Sequence, residues 1–361
     1  MRILAIDIGT GTQDILLFDT AQPIENAPKL VMPSPTTIAA QAIRAATRTR
    51  RPIALHGVTA GGGPCHWALT DHLNAGLPAY ATPDAARTFD DDLDRIQADG
   101  ITLITDDELP RLDADRIALH DLDLDAIWTA LHAFGIDPAI DGLAVGVLDH
   151  GAAPPDVSDR LFRFAHLKRV LTANADPRAF AFTTDTLPDY LTRARAVFRS
   201  TTLDVPTIVM DNGAAAALGA LHDPIADDHS QRLVLNVGNM HALAYALTGT
   251  HINAVLEHHT GELSTERLAQ MTADMQQGSL AQDTVFNSNG HGVHYVTTPP
   301  YQADITIVTG PRRGAVMPHL PNAHAAAPHG DMMLSGSFGL LDGFAYRFPQ
   351  AQEFVDGLRG P

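Results

Sequence analysis

The residues with the most chemical promise stand at the start of the chain. An apolar run, Arg2-Ile3-Leu4-Ala5-Ile6, ends on Asp7 and continues into Ile8-Gly9-Thr10-Gly11-Thr12-Gln13-Asp14. A carboxylate at the end of a buried strand, followed by Gly-Thr-Gly-Thr, suits phosphate binding. Gly9 and Gly11 permit a tight turn that a Cβ would obstruct. Such a turn aims backbone N–H groups and the Thr10 and Thr12 hydroxyls at phosphate oxygens. Asp7 is then placed to hold Mg²⁺ through water, because that ion keeps much of its hydration shell. The plain alternative is a hairpin whose turn needs two glycines.

Four other groups could take part. A second glycine turn, Gly238-Asn239-Met240-His241, follows an apolar stretch at 232–237. Asn236 beside it carries no charge for a metal but can bond metal-bound water. Asp211 opens a small-residue segment and reads equally as a helix cap or as a carboxylate that orients water or a substrate hydroxyl; a one-residue shift gives that place to Asn212. Asp149-His150-Gly151 closes the strand expected at 143–148. Asp149 there is a candidate for positioning water and His150 for carrying a proton, against an ordinary Asp-Gly turn. Arg312 and Arg313, after Gly310-Pro311, could pair with phosphate or stack on adenine, or form a solvated basic pair.

The second half is rich in histidine. His291 and His294 could chelate a metal with His258 or Glu257 as a third ligand; a polar substrate pocket of Asn287, Asn289, His291 and His294 reads as well. Gly61-Gly62-Gly63-Pro64 is a flexible loop able to approach a ligand, without dinucleotide-fold spacing. Cys65 and His66 are chain neighbours that point apart, which disfavours a nucleophile pair.

Elements must hold these groups in place. Strands are expected at 2–7, 13–19, 53–58, 143–148, 207–210, 232–237, 242–247, 253–257 and 305–308. Helices are expected at 84–97, 121–134, 211–221, 264–277 and 337–347. The segment 318–330 reads as irregular. A strand-turn-strand unit thus opens each half, and the polar run 223–231 divides them.

Composition narrows the classes. A chain of 361 residues with 45% hydrophobic content can build two cores. The net charge of −18 argues against nucleic acid and anionic membrane surfaces as partners. Lys29 and Lys168 are the only lysines, so no Walker-type phosphate loop exists. Cys65 is the only cysteine, which excludes an intrachain disulfide and a cysteine-ligated iron–sulfur cluster. A reducing cytoplasm is the expected location; Asp7 comes too early for a secretory signal, and no apolar run has transmembrane length.

In chain order, these motifs resemble those of the actin, sugar kinase and Hsp70 ATPase superfamily. Ile6–Asp14 resembles its first phosphate motif, residues 235–241 the second, 211–219 the connecting helix, and 308–314 the adenosine motif. The resemblance implies an α/β fold of two ribonuclease-H-like, actin-like domains around a central cleft. The N-terminal domain would span 1–222 with insertions and the C-terminal domain 223–361, the last helix free to pack back on the first. It implies ATP and Mg²⁺ as cofactors: Gly9, Thr10, Gly11, Thr12, Gln13, Asn236, Gly238, Asn239, Met240, Gly310 and Arg312 on nucleotide, Asp7 on metal, and Asp149, Asp211 and His150 in catalysis. Two departures stand out. Asn236 replaces the usual Asp, and Asp14 stands where sugar kinases often carry a basic residue. Both fit slow turnover better than a fast metabolic kinase.

More closely, the whole chain resembles an uncharacterised prokaryotic family whose members carry the label pyruvate formate-lyase activating enzyme. The blocks are Asp7–Phe18, Thr59–Pro64, Pro83–Asp92, Asp149–Gly151, Glu257–Gly261 and Asn287–Gly292. Three functions follow as expectations: a Mg²⁺-dependent ATP hydrolase or phosphotransferase of unknown acceptor; a non-catalytic or slow ATP-gated switch that activates a partner; and a metal-dependent enzyme using the C-terminal histidine loops. The expected partners are a nucleotide and a small-molecule or protein substrate.

Overall fold

The computed structural model describes residues 1–359. The chain opens with an antiparallel meander, β1 (Arg2–Ile8), β2 (Thr12–Asp19) and β3 (Lys29–Pro33). An insertion follows. Its strands β4 (Ile53–Gly57), β5 (Ala79–Ala81), β6 (Ile101–Leu103) and β7 (Asp115–Leu119) form a small parallel sheet in the order β6-β5-β4-β7. Helix Pro64–Asn74 supplies the crossover from β4 to β5, as parallel pairing requires, and packs on helix Pro35–Arg48, which leads from β3 into β4.

The chain then returns to the first sheet. Strands β8 (Gly142–Val147) and β10 (Thr207–Asp211) add parallel to β1, and β9 (Ala181–Phe182) closes the edge. The resulting order is β3-β2-β1-β8-β10-β9. The second half repeats the plan. Strands β11 (Gln231–Val237), β12 (His241–Thr248) and β13 (His251–His259) form a meander, with β14 (Gly292–Tyr295) on its outer edge. Beyond β11 lie β15 (Ile305–Thr309) and β16 (Ala323–Ala325), both parallel, giving β14-β13-β12-β11-β15-β16. A three-strand meander extended by parallel strands on the far side of its first strand is the ribonuclease-H arrangement. It occurs twice here, as the motif order implied.

Two helices lie between the halves. Asn212–Ala220 touches β11 and β15 of the second sheet, while Ser335–Arg347 packs on β1, β8 and β10 of the first. They cross at backbone contact, because small residues occupy the seam. A Cβ on Gly219 would stand 1.6 Å from the Ser335 carbonyl oxygen, and one on Gly339 would stand 1.8 Å from that of Ala215. The alanine-rich segment therefore has a packing reason: only small side chains allow this approach.

Several sequence expectations need correction. The helix expected over 84–97 is two short ones, Pro83–Ala86 and Leu93–Ala98. The chain turns between them, and Asp92 caps the second by accepting N–H bonds from Asp94 and Arg95. The segment 318–330 is not wholly irregular, since Ala323–Ala325 joins the sheet edge as β16. Strands β5 and β6 were not foreseen; three residues each are too few to display a period. Helices Asp159–Ala173 and Thr192–Ser200 were also missed.

Candidate functional site

The two glycine turns are built alike. Gly9 N–H donates to the Thr12 carbonyl at 2.9 Å, and Gly238 N–H donates to the His241 carbonyl at 2.9 Å. Each ends the first strand of its sheet, and the two face each other. A Cβ on Gly11 would stand 2.5 Å from Asn239 Nδ2. Both turns line one cavity of about 310 Å³, together with Asp7, Asp14, Asn212, Asn236, Met240, Thr309, Gly310 and Gly336. Gly310 has φ +91°, and a Cβ there would meet the Val237 carbonyl oxygen at 2.5 Å and Asn236 Oδ1 at 2.6 Å. Glycine is required because the loop after β15 lies directly on the end of β11.

An acid pair forms the floor. Asp7 and Asp14 are directly opposed across β1 and β2. Each has an Oδ1 that is sealed from solvent and has no hydrogen-bond partner. A Cβ on Gly336, at the start of the last long helix, would stand 1.9 Å from Asp7 Oδ2. Burial, then the charge of Asp14, drives the Asp7 carboxyl well above the usual range, against a bond from Asn212. Burial pushes Asp14 up to about 7, opposed by Thr12 and reinforced by Asp331. Two enclosed carboxyls with unmet oxygens fit a divalent cation, which would relieve both burial and repulsion.

The insertion forms a further wall. Gly61, Gly62 and Gly63, between β4 and helix Pro64–Asn74, line the same cavity. Arg193 reaches it too, held by Asp121 at 2.7 Å and the Leu148 carbonyl at 2.6 Å. A Cβ on Gly61 would meet Arg193 Nη2 at 2.6 Å, so that guanidinium also constrains the loop.

Other residues singled out in the sequence lie elsewhere. Gln13 donates to the Pro33 carbonyl at 3.0 Å within the sheet. Arg312 is exposed at the rim. Asp149 is buried, with its two oxygens accepting from Gly151 N–H at 2.7 Å and Ala194 N–H at 2.9 Å. Asp211 caps helix Asn212–Ala220 through the Gly213 and Ala214 N–H groups and pairs with buried Arg163 at 2.8 Å. Neither carboxylate faces the main cavity; both line a small void behind it. Asn212, one residue on, does face the cavity and donates to the Ile8 carbonyl at 3.2 Å. Cys65 is buried, and burial pushes its thiol up to about 11.

The histidines gather differently from the sequence expectation. His150, His241, His259 and His291 hold ligand nitrogens all within 4.8 Å of one another. His258 instead contacts Ser288, and His294 stands outside the group. Alternation explains both: adjacent strand residues face opposite ways, as do residues three apart. Register supplies the true neighbours, since β12 and β13 pair His241 directly with His259. A turn-to-turn count of the three-strand meander would have suggested that pair; nothing in the sequence announces His150. Glu257 accepts from His241 Nδ1 at 3.1 Å and from Arg163 Nε at 2.8 Å. Burial raises Glu257, but Arg163, His291 and His241 outweigh it and hold it well below the usual value. Burial lowers His291 to about 3 and His259 to about 4, and drives His150 well below its ordinary value.

Two ribonuclease-H sheets with facing glycine turns over a shared cleft define the fold of the actin-like ATPases. The chain belongs to the family described as "Putative pyruvate format-lyase activating enzyme (DUF1786)", which matches residues 60–315. No curated protein matches the sequence. Among solved structures, the chain is similar to an inorganic polyphosphate/ATP-glucomannokinase from Arthrobacter sp. strain KM, with TM-score 0.35, 11% identity, and coverage of 96% of this chain and 99% of that one. A ROK family glucokinase from Streptomyces griseus in complex with glucose and AMPPNP gives 0.36, 10%, 95% and 98%. The activator of 2-hydroxyisocaproyl-CoA dehydratase from Clostridium difficile with bound ADPNP gives 0.30, 8%, 98% and 96%. The two strand orders, β3-β2-β1-β8-β10-β9 and β14-β13-β12-β11-β15-β16, define the fold. No helix among the described residues is long and apolar enough to cross a membrane.

Proposed function

We propose that the chain is a Mg²⁺-dependent ATP-binding protein whose nucleotide lies in the cleft between the two glycine turns. The observation that carries this reading is the cavity itself, lined by Gly9–Thr12 on one side, Gly238–Met240 on the other and Asp7 at its floor. The backbone N–H groups of the two turns, with the Thr10 and Thr12 hydroxyls, would hold the phosphate oxygens. Gly310 would let the adenosine side approach the backbone closely. Asp7 and Asp14 would hold Mg²⁺, directly or through its water. The ion would neutralise phosphate charge and so allow Asp14, otherwise repulsive, to face a polyphosphate.

Slow turnover that gates a partner fits better than rapid phosphoryl transfer. Asp149 and Asp211, the carboxylates that could orient an attacking oxygen, are engaged by backbone N–H groups and Arg163, away from the cavity. Asn236 brings no second charge to the metal side. The reading is tested by thermal shift with Mg-ATP, Mg-ADP and a non-hydrolysable analogue, beside phosphate release. Stabilisation by nucleotide with little release supports the gated switch; rapid release supports a hydrolase. Absence of any nucleotide shift, or a shift that survives Asp7→Ala unchanged, overturns the proposal.

A further inference from the structure

The four-histidine cluster lies at the inner end of the cleft, where the halves meet. His150 comes from the loop after β8 in the first half. His241 and His259 face each other across β12 and β13, and His291 enters just before β14. We infer that these four imidazoles form a binding site for one transition-metal dication of the zinc class, joining the loop after β8 to the second sheet.

Geometry supports a shared ion. Four nitrogens placed tetrahedrally at about 2.0–2.1 Å from zinc stand about 3.3 Å apart. His150 Nε2 and His291 Nε2 are 3.3 Å apart, and no pair in the cluster exceeds 4.8 Å. An all-imidazole set selects zinc, cobalt, nickel, copper or iron over magnesium and calcium, which prefer oxygen.

The surroundings match as well. Glu257 takes the Nδ1 side of His241, leaving the other ring nitrogen for the metal. This carboxylate–histidine pairing fixes ring orientation and raises ligand basicity. Glu257 shares Arg163 with Asp211, and all three are buried. One guanidinium against two carboxylates leaves a buried negative charge beside the rings. A dication compensates it. Glu257 Oε2 is enclosed without a partner, so part of that carboxylate's charge stays unmet beside the rings. Entry is open, because His150, His241 and His259 line the cleft while His291 closes the back.

Three of the rings line the cavity assigned to nucleotide, but the donors differ from the acid pair at Asp7 and Asp14, so metal binding is read without nucleotide and stands or falls apart from the nucleotide proposal. The test uses untagged full-length protein stripped with EDTA, titrated with Co²⁺ by visible absorption and with Zn²⁺ by calorimetry. One saturable equivalent and a cobalt spectrum unaltered by excess Mg²⁺ are expected. His241→Gln and His291→Gln should each weaken binding by more than the roughly 10- to 100-fold that loss of an outer partner causes. His258→Gln and His294→Gln, outside the cluster, should bind as the parent does. The inference is overturned by folded parent protein that takes up no Co²⁺ or Zn²⁺, by displacement with Mg²⁺, or by cluster variants that bind undiminished. Should a variant fail to fold, anomalous scattering from zinc-soaked parent crystals decides: a peak among the four rings sustains the site, and its absence there refutes it.

Discussion

Asp14→Asn isolates the electrostatic cost stored in the cleft. Asp14 is 7% exposed and its carboxyl is pushed from 3.8 to about 7, chiefly by burial. An acid with a raised folded value binds more protons folded than unfolded between those two values. Stability is therefore fully present below pH 3.8 and falls as pH rises towards 7. A shift of about three units corresponds to at most about 4 kcal/mol, of which about 2–3 develops between pH 5 and pH 8. Asparagine carries no such penalty. The variant should melt higher than the parent at pH 8, by on the order of 5 °C, with a much smaller gain at pH 5. Circular dichroism melts at both pH values, without divalent ions, read this directly. Mg²⁺ at pH 8 should raise the parent and narrow the gap. Equal gains at the two pH values would refute the reasoning, because the carboxyl would then not be held protonated by its surroundings.

Other consequences are equally concrete. Gly339→Val forces a side chain against the Ala215 backbone and should cost about 3 kcal/mol or more, seen as a lower melting temperature. Arg163→Met leaves Asp211 and Glu257 buried without their cation and should destabilise by about 3–5 kcal/mol in denaturant melts. Asp149→Asn replaces one of two buried accepting oxygens with an NH2 group that faces an N–H donor, so stability should fall by about 1–3 kcal/mol while the nucleotide-induced thermal shift persists. A lost shift in folded Asp149→Asn would return that residue to the nucleotide site.

Much of the cleft was legible because its signals are local. Gly9, Gly11 and Gly238 follow apolar strands at short range, and a carboxylate ending a strand is visible in any sequence. Meander strands joined by tight turns announce themselves through alternation, so both ribonuclease-H cores could be anticipated. The three-residue strands of the insertion could not, nor could the break at 88–92, where Asp92 caps a new helix.

What the chain order determines, then, is the pair of glycine turns, the carboxylate beside the first, the single cysteine and the small-residue seam of the central helices. Tertiary structure alone decides which polar groups remain free to act. Asp149 and Asp211 look as available as Asp7 in the sequence, yet backbone N–H groups and Arg163 claim them, while Asp7 keeps an oxygen without a partner. The histidine cluster is decided likewise, because strand register places His241 opposite His259 and the folding of two distant halves brings in His150. Short-range order governs backbone conformation, but which side chains meet depends on contacts between residues over a hundred positions apart, such as His150 and His291.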